Sequence, residues 1–113
     1  MTYKEIASMI DSMGLPFAYR FFPLDHAPQL PYIVFYYPNN DDFSADNINY
    51  VPKVNINIEL YSENKDFETE SSVEAVLNQY GFYFEKSEYY LQTEQMYEVL
   101  YQIQTLIKEK NGE

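Results

Sequence analysis

Apolar residues recur with two different periods along this chain, and the switches between them mark its elements. Tyr3, Ile6, Ile10 and Met13 recur at helical spacing and so share one helix face. Thr2 and Glu5 have the spacing of a capping box, in which two side chains satisfy each other's orphan backbone donors. Gly14 stands where a left-handed C-terminal cap falls, and Pro16 prevents the helix from resuming. The pattern predicts an amphipathic first helix, packed on something through its apolar face.

Phe17 to Phe22 reads as a strand. Pro23, Pro28 and Pro31 then enclose a connection that contains Asp25 and His26. Tyr32 to Tyr37 is apolar on both faces, which suits a central strand or one whose outer face meets another subunit. Tyr32, Val34 and Tyr36 are therefore candidate subunit-interface positions. Further on, Val54, Ile56, Ile58 and Leu60 alternate with Asn55, Asn57, Glu59 and Tyr61, the clearest strand signal in the chain. The first set should face inward and the second outward. Between these strands, which should pair as a hairpin, runs the long polar stretch from Asn39 to Tyr50. Loops of that length tend to be functional or flexible, so Asn39, Asn40, Asp41, Asp42, Phe43, Ser44, Asp46 and Tyr50 form a candidate interaction loop.

A second helix should begin at Asp66, a good N-cap, with Glu68, Glu70 and Glu74 towards its positive end. Val73, Val76, Leu77 and Tyr80 form its expected buried stripe, and Gly81 its end. Phe82 to Lys86 reads as strand. The last segment fits both periods: Met96, Leu100, Ile103 and Ile107 suit a helix, whereas Tyr97, Val99, Tyr101, Ile103 and Thr105 suit a strand.

Composition narrows the possible functions. The 113 residues fit one domain spanning residues 1–113. Thirteen Tyr and eight Phe stand beside no Trp. Tyr works half in a core or an interface with its hydroxyl satisfied, so these rings serve either a partner surface or strands that favour aromatics. Eighteen acids against seven bases give a net charge of −11. That charge repels phosphate and argues against sequence-specific nucleic-acid binding through a basic patch. The absence of cysteine rules out disulfides, thiol nucleophiles and thiolate metal sites. No apolar leader and no bilayer-length apolar run is visible, so the expectation is a cytoplasmic protein with no membrane partner.

Candidate chemistry is sparse. His26 is the single histidine, and adjacent Asp25 would diverge from it rather than orient it. The acids from Asp41 to Asp46 invite a calcium loop, which needs Gly at the sixth position and Glu at the twelfth. Counted from Asp41 those positions hold Asp46 and Pro52, so the pattern fails. Gly14, Gly81 and Gly112 are too dispersed for a phosphate-cradling loop. No catalytic, cofactor-binding or metal residue is assigned, and a non-enzyme without cofactors is expected.

One resemblance runs nearly the length of the chain. The ordered set comprises a helix, a strand, a proline-rich connection, Leu30-Pro31-Tyr32-Ile33-Val34-Phe35, a polar hairpin loop and Ile58-Glu59-Leu60-Tyr61-Ser62. A helix from Asp66 to Tyr80, Ser87-Glu88-Tyr89-Tyr90 and Tyr97-Glu98-Val99-Leu100-Tyr101-Gln102-Ile103 complete it. In this order the chain resembles the small tail terminator and tail completion proteins of long-tailed phages and prophages. The resemblance implies an α+β fold, a mostly antiparallel β-sheet with two helices packed on one face, in the order α-β-β-β-α-β-β. The last segment is then a strand. It also implies a ring of copies, hexameric in many members, that caps the tail tube and joins it to the head connector. The expected partners are the chain itself, the tail-tube protein and the connector, and the expected location is the host cytoplasm during assembly and then the virion tail. The alternative reading is an acidic DNA mimic or a small protein-interaction adaptor encoded by a phage or prophage.

Overall fold

The structure, a computed structural model, describes residues 1–38 and 53–108. Helix α1 (Tyr3–Asp11) starts at the expected capping box. The Glu5 N–H donates to Thr2 Oγ1 at 3.1 Å, and the Thr2 N–H donates to Glu5 Oε1 at 2.7 Å. Ile6, Met9 and Ile10 are fully buried on one face. The chain then reverses through Gly14, whose φ of 82° is open to glycine at little cost.

Strand β1 (Phe17–Tyr19) is shorter than the Phe17–Phe22 run suggests. Arg20 turns to a left-handed φ of 70°, which ends the extended ladder although its N–H still donates to the Phe35 carbonyl at 2.9 Å. Strands β2 (Tyr32–Tyr36) and β3 (Lys53–Ser62) pair antiparallel, as the hairpin reading requires. Strand β5 (Met96–Leu106) then pairs antiparallel with β3, so the ambiguous last segment is a strand. Its register explains the choice: Val99, Tyr101 and Ile103 stand opposite Leu60, Ile58 and Ile56, all of them buried. A helix there would have withdrawn that row from the sheet.

Helix α2 (Phe67–Gln79) is capped by Asp66, which accepts from the Thr69 N–H at 3.1 Å and the Thr69 hydroxyl at 2.7 Å. Its buried face corrects the expected stripe. Glu70, Val73 and Leu77 point inward, Val76 is half-buried, and Tyr80 is exposed. The helix ends in a left-handed cap at Gly81: the Gly81 N–H bonds the Asn78 carbonyl and the Phe82 N–H bonds the Leu77 carbonyl. This cap uses the residues expected to open the next strand. Strand β4 therefore spans Glu85–Leu91 instead of starting at Phe82, while Phe82 and Phe84 pack against the core from the connection.

The sheet runs β1-β2-β3-β5-β4, with β1 parallel to β2 and every other pair antiparallel. Both helices cover one face. Ile33, Phe35, Val54, Ile56, Ile58, Leu60, Val99, Tyr101 and Ile103 meet Ile6, Met9, Ile10, Val73 and Leu77 there in one cluster. The order α-β-β-β-α-β-β and the α+β class are those that the resemblance implies.

An ion chain fastens α2 to β4 at the margin of this core. Lys65 Nζ lies 2.7 Å from Glu70 Oε2 and also pairs with Glu88. Lys86 Nζ lies 2.9 Å from Glu70 Oε1 and 2.6 Å from Glu74 Oε2. Burial pushes the Glu70 carboxyl up, but bonds from Lys65 and Lys86 outweigh it and hold the group below the usual carboxylate range. A buried glutamate is tolerated here because a lysine meets each of its oxygens.

Candidate interaction face

The other face of the sheet is covered by neither helix. Strand alternation sends Tyr32, Val34 and Tyr36 of β2 to this side. Asn55, Asn57, Glu59 and Tyr61 of β3 join them, as do Met96, Glu98, Leu100, Gln102 and Gln104 of β5. The three candidate interface residues of β2 are thus brought together on one surface. Val34 is buried between its neighbours, and Tyr32 and Tyr36 are half-buried. The candidate loop residues Asn39, Asn40, Asp41, Asp42, Phe43, Ser44, Asp46 and Tyr50 lie outside the described residues.

The face divides into two ends. At one, Asn55, Asn57, Gln102, Gln104, Glu85 and Tyr83 line a polar hollow of about 490 Å³. At the other, Phe21, Phe22, Tyr32, Tyr61, Leu91 and Met96 line an aromatic groove of about 390 Å³. Rings stack across the second end, with Phe22 and Tyr32 centroids 5.1 Å apart and Tyr32 and Tyr61 centroids 5.5 Å apart. Arg20 lies over the Tyr36 ring at 5.1 Å. Such pairs favour a rigid surface with little side-chain entropy left to lose on contact.

A hydrogen-bonded network joins the two ends. The Asn57 amide donates to the Tyr36 hydroxyl at 3.2 Å, and that hydroxyl donates to Glu59 Oε2 at 3.2 Å. The Tyr61 hydroxyl donates to Glu59 Oε1 at 2.8 Å. Burial and the hydrogen bond to Glu59 push the Tyr61 hydroxyl far up, so it stays a donor at any physiological pH. Beside this network, Glu98 neighbours Glu59. Desolvation first, and then the Glu59 charge, push the Glu98 carboxyl up to about 7. The face therefore carries a carboxyl, Glu98, whose proton leaves only near neutrality.

Sequence reasoning singled out Tyr32, Val34 and Tyr36, which share this face, but missed Glu59 with Glu98. Glu59 was legible as an outward residue of β3, but its partner required the β3–β5 register, which no local pattern encodes. His26 is exposed in the connection before β2. Among the described residues no three His, Cys, Asp or Glu side chains are close enough to hold a metal ion. None of the described helices is long and apolar enough to cross a membrane. No family model matches the chain, and no curated protein matches it.

Proposed function

We propose that this protein is a non-enzymatic assembly component that caps or completes a phage tail tube and joins it to the head connector, working as a ring of copies. One observation carries the assembly part: the sheet face of Tyr32, Tyr36, Tyr61, Met96 and Leu100 is apolar and rich in aromatic rings, half-buried, and covered by neither helix. A rigid aromatic face of this kind suits the centre of a protein interface. The tail-completion part rests on the ordered resemblance of the sequence. A DNA mimic is less well supported, because Glu70, Glu74 and Glu88 are drawn into pairs with Lys65 and Lys86 rather than displayed as a phosphate-like array.

Light scattering and native mass spectrometry of the chain, alone and mixed with tail-tube protein, test this reading. A closed oligomer or a stable complex with tubes is expected, and Leu100→Glu should abolish it while leaving the circular dichroism spectrum unchanged. A chain that stays monomeric at every concentration and never binds tail tubes would overturn the proposal.

A further inference from the structure

Cross-strand rows organise the open face, and one row places a carboxyl between two tyrosines. Tyr32 pairs with Tyr61, Tyr61 with Glu98, and Glu98 with Tyr89. Side chains directly opposite on one face of a sheet are in reach of each other. Tyr61 is half-buried and Tyr89 is half exposed, so the Glu98 carboxyl is flanked by one fixed ring and one accessible ring. Its charged neighbour is Glu59, whose oxygens accept from the Tyr36 and Tyr61 hydroxyls.

Two carboxylates side by side on a partly desolvated face repel, and among the described residues no lysine or arginine forms an ion pair with either. The covered side of the same sheet is built the opposite way, with lysines at Glu70, Glu74 and Glu88. The outer pair is thus complementary to a cation supplied from outside the described chain. What kind of cation suits this face is illustrated by Arg20, whose guanidinium lies 5.1 Å from the Tyr36 centroid and 5.9 Å from that of Tyr19. A guanidinium stacks on aromatic rings and forks onto a carboxylate, whereas an ammonium is a compact, strongly hydrated point charge. A two-fold contact of this face with itself is disfavoured, because it would press two such acid pairs together on chains of charge −11, whereas a ring contact meets the face with a different surface.

We infer that the open face receives a protein partner that inserts an arginine side chain between Tyr61 and Tyr89, onto the carboxyls of Glu98 and Glu59. This rests on the assembly reading only for the premise that the face is covered, and it adds the chemistry of what covers it. The groups facing the arginine are Glu59 and Tyr61 from β3, Tyr32 and Tyr36 from β2 and Tyr89 from β4. Glu94 of the β4–β5 turn and Arg20 lie at the rim of the neighbouring groove. Arginine binding requires the Glu98 proton to leave. Affinity should therefore weaken about tenfold for each pH unit below about 7, and level off above it.

The test uses N-acetyl-arginine amide, titrated into the full chain with ¹³C-labelled carboxyl groups and followed by NMR. At pH 8, shifts should concentrate at Glu98, Glu59, Tyr61 and Tyr89. Lysine amide should give a smaller response, and the uncharged isostere N-acetyl-citrulline amide none. Glu98→Gln should abolish the response, and Glu59→Gln provides the same reading if the first variant fails to fold. A citrulline response equal to that of arginine would overturn the inference, as would a lysine response equal to it, a response that persists in the folded variants, or no shift at these residues. The assay contains no tail protein, so its failure leaves ring assembly standing. Conversely, a chain that never assembles would sink the assembly reading without touching the arginine titration.

Discussion

The hydroxyl of Tyr101 donates to Glu74 Oε2 at 2.8 Å, so the largest fully buried side chain of the core ends in a carboxylate on α2. That carboxylate also holds Lys86, and Lys86 holds Glu70, so sheet and helix are joined by one continuous polar chain. Tyr101→Phe removes a hydrogen bond to a charged acceptor and should cost about 1–3 kcal/mol. Glu70→Ala strips both lysines of their buried partner and should cost about 3 kcal/mol, tempered by the water that reaches them. Urea melts of the two variants would rank them, and a Tyr101→Phe variant more damaged than Glu70→Ala would contradict the chain.

The carboxyl pair on the open face makes stability depend on pH in an unusual direction. Glu98 has a folded pKa near 7, above its unfolded value. Its contribution is therefore fully present below the unfolded pKa and is lost as pH rises through about 7. Glu98→Gln, which cannot ionise, should raise stability by about 1–2 kcal/mol at pH 8, allowing for screening by water above the face, and change little at pH 4. Asp66 and Glu70 act in the opposite sense: bonds from Thr69 and from the two lysines lower their pKa values, so their contribution disappears as acid protonates them. Thermal melts of the native chain and Glu98→Gln between pH 4 and 8 would separate the two effects.

Neighbours on β3 should differ by face, though less than alternation alone suggests. Ile58 is fully buried under the helices, and Ile58→Ala should leave a cavity costing about 2–5 kcal/mol. Asn57 points to the open face, and an exposed residue there would be nearly neutral to substitution. It is instead only 8% exposed and donates to Tyr36. Asn57→Ala should therefore cost about 1–2 kcal/mol, with the Tyr36 hydroxyl left one donor short. Denaturant midpoints that ranked Asn57→Ala below Ile58→Ala in stability would reverse the assignment of faces.

At Gly81 the cost of a side chain should be purely conformational. A Cβ there would meet no atom within 4 Å, yet φ is 81°. Gly81→Ala should lose about 1–2 kcal/mol from backbone strain alone. Gly81→Asn, which tolerates this region better, should lose less. Equal losses would imply that the left-handed cap reforms differently in the variants.

Where local chemistry decides an element, its place could be read from the residues. Thr2 with Glu5 marked the start of α1, Asp66 the start of α2, and the Val54–Tyr61 alternation both faces of β3. The misreadings share a cause: each depended on a residue whose role is set elsewhere. Arg20 carries no turn signature, yet its left-handed turn shortens β1. Glu70 looks like a solvated helix residue, though its spacing to Val73 and Leu77 places it on the buried side. Only Lys65 and Lys86, from outside α2, make that tolerable. On the open face, the placement of Tyr32, Val34 and Tyr36 together was legible because residues two apart on a strand share a side. Glu98 was not, because its environment comes from three strands at once.

The pairing of β3 with β5 also governs how the chain must reach this structure. Three of its ladders, β1 with β2, β2 with β3 and β4 with β5, join consecutive strands, whereas the seam between β3 and β5 brings Ser62 to Tyr97 at one end and Lys53 to Leu106 at the other. All of α2 and the β4 strand lie in the loop that this seam closes. Closing such a loop is the slow event in sheets rich in distant contacts. The rate-limiting barrier should then be the docking of two preformed hairpins. In stopped-flow experiments Ile56→Val and Ile103→Val should slow refolding, whereas Phe17→Leu, on the short edge strand, should mainly hasten unfolding.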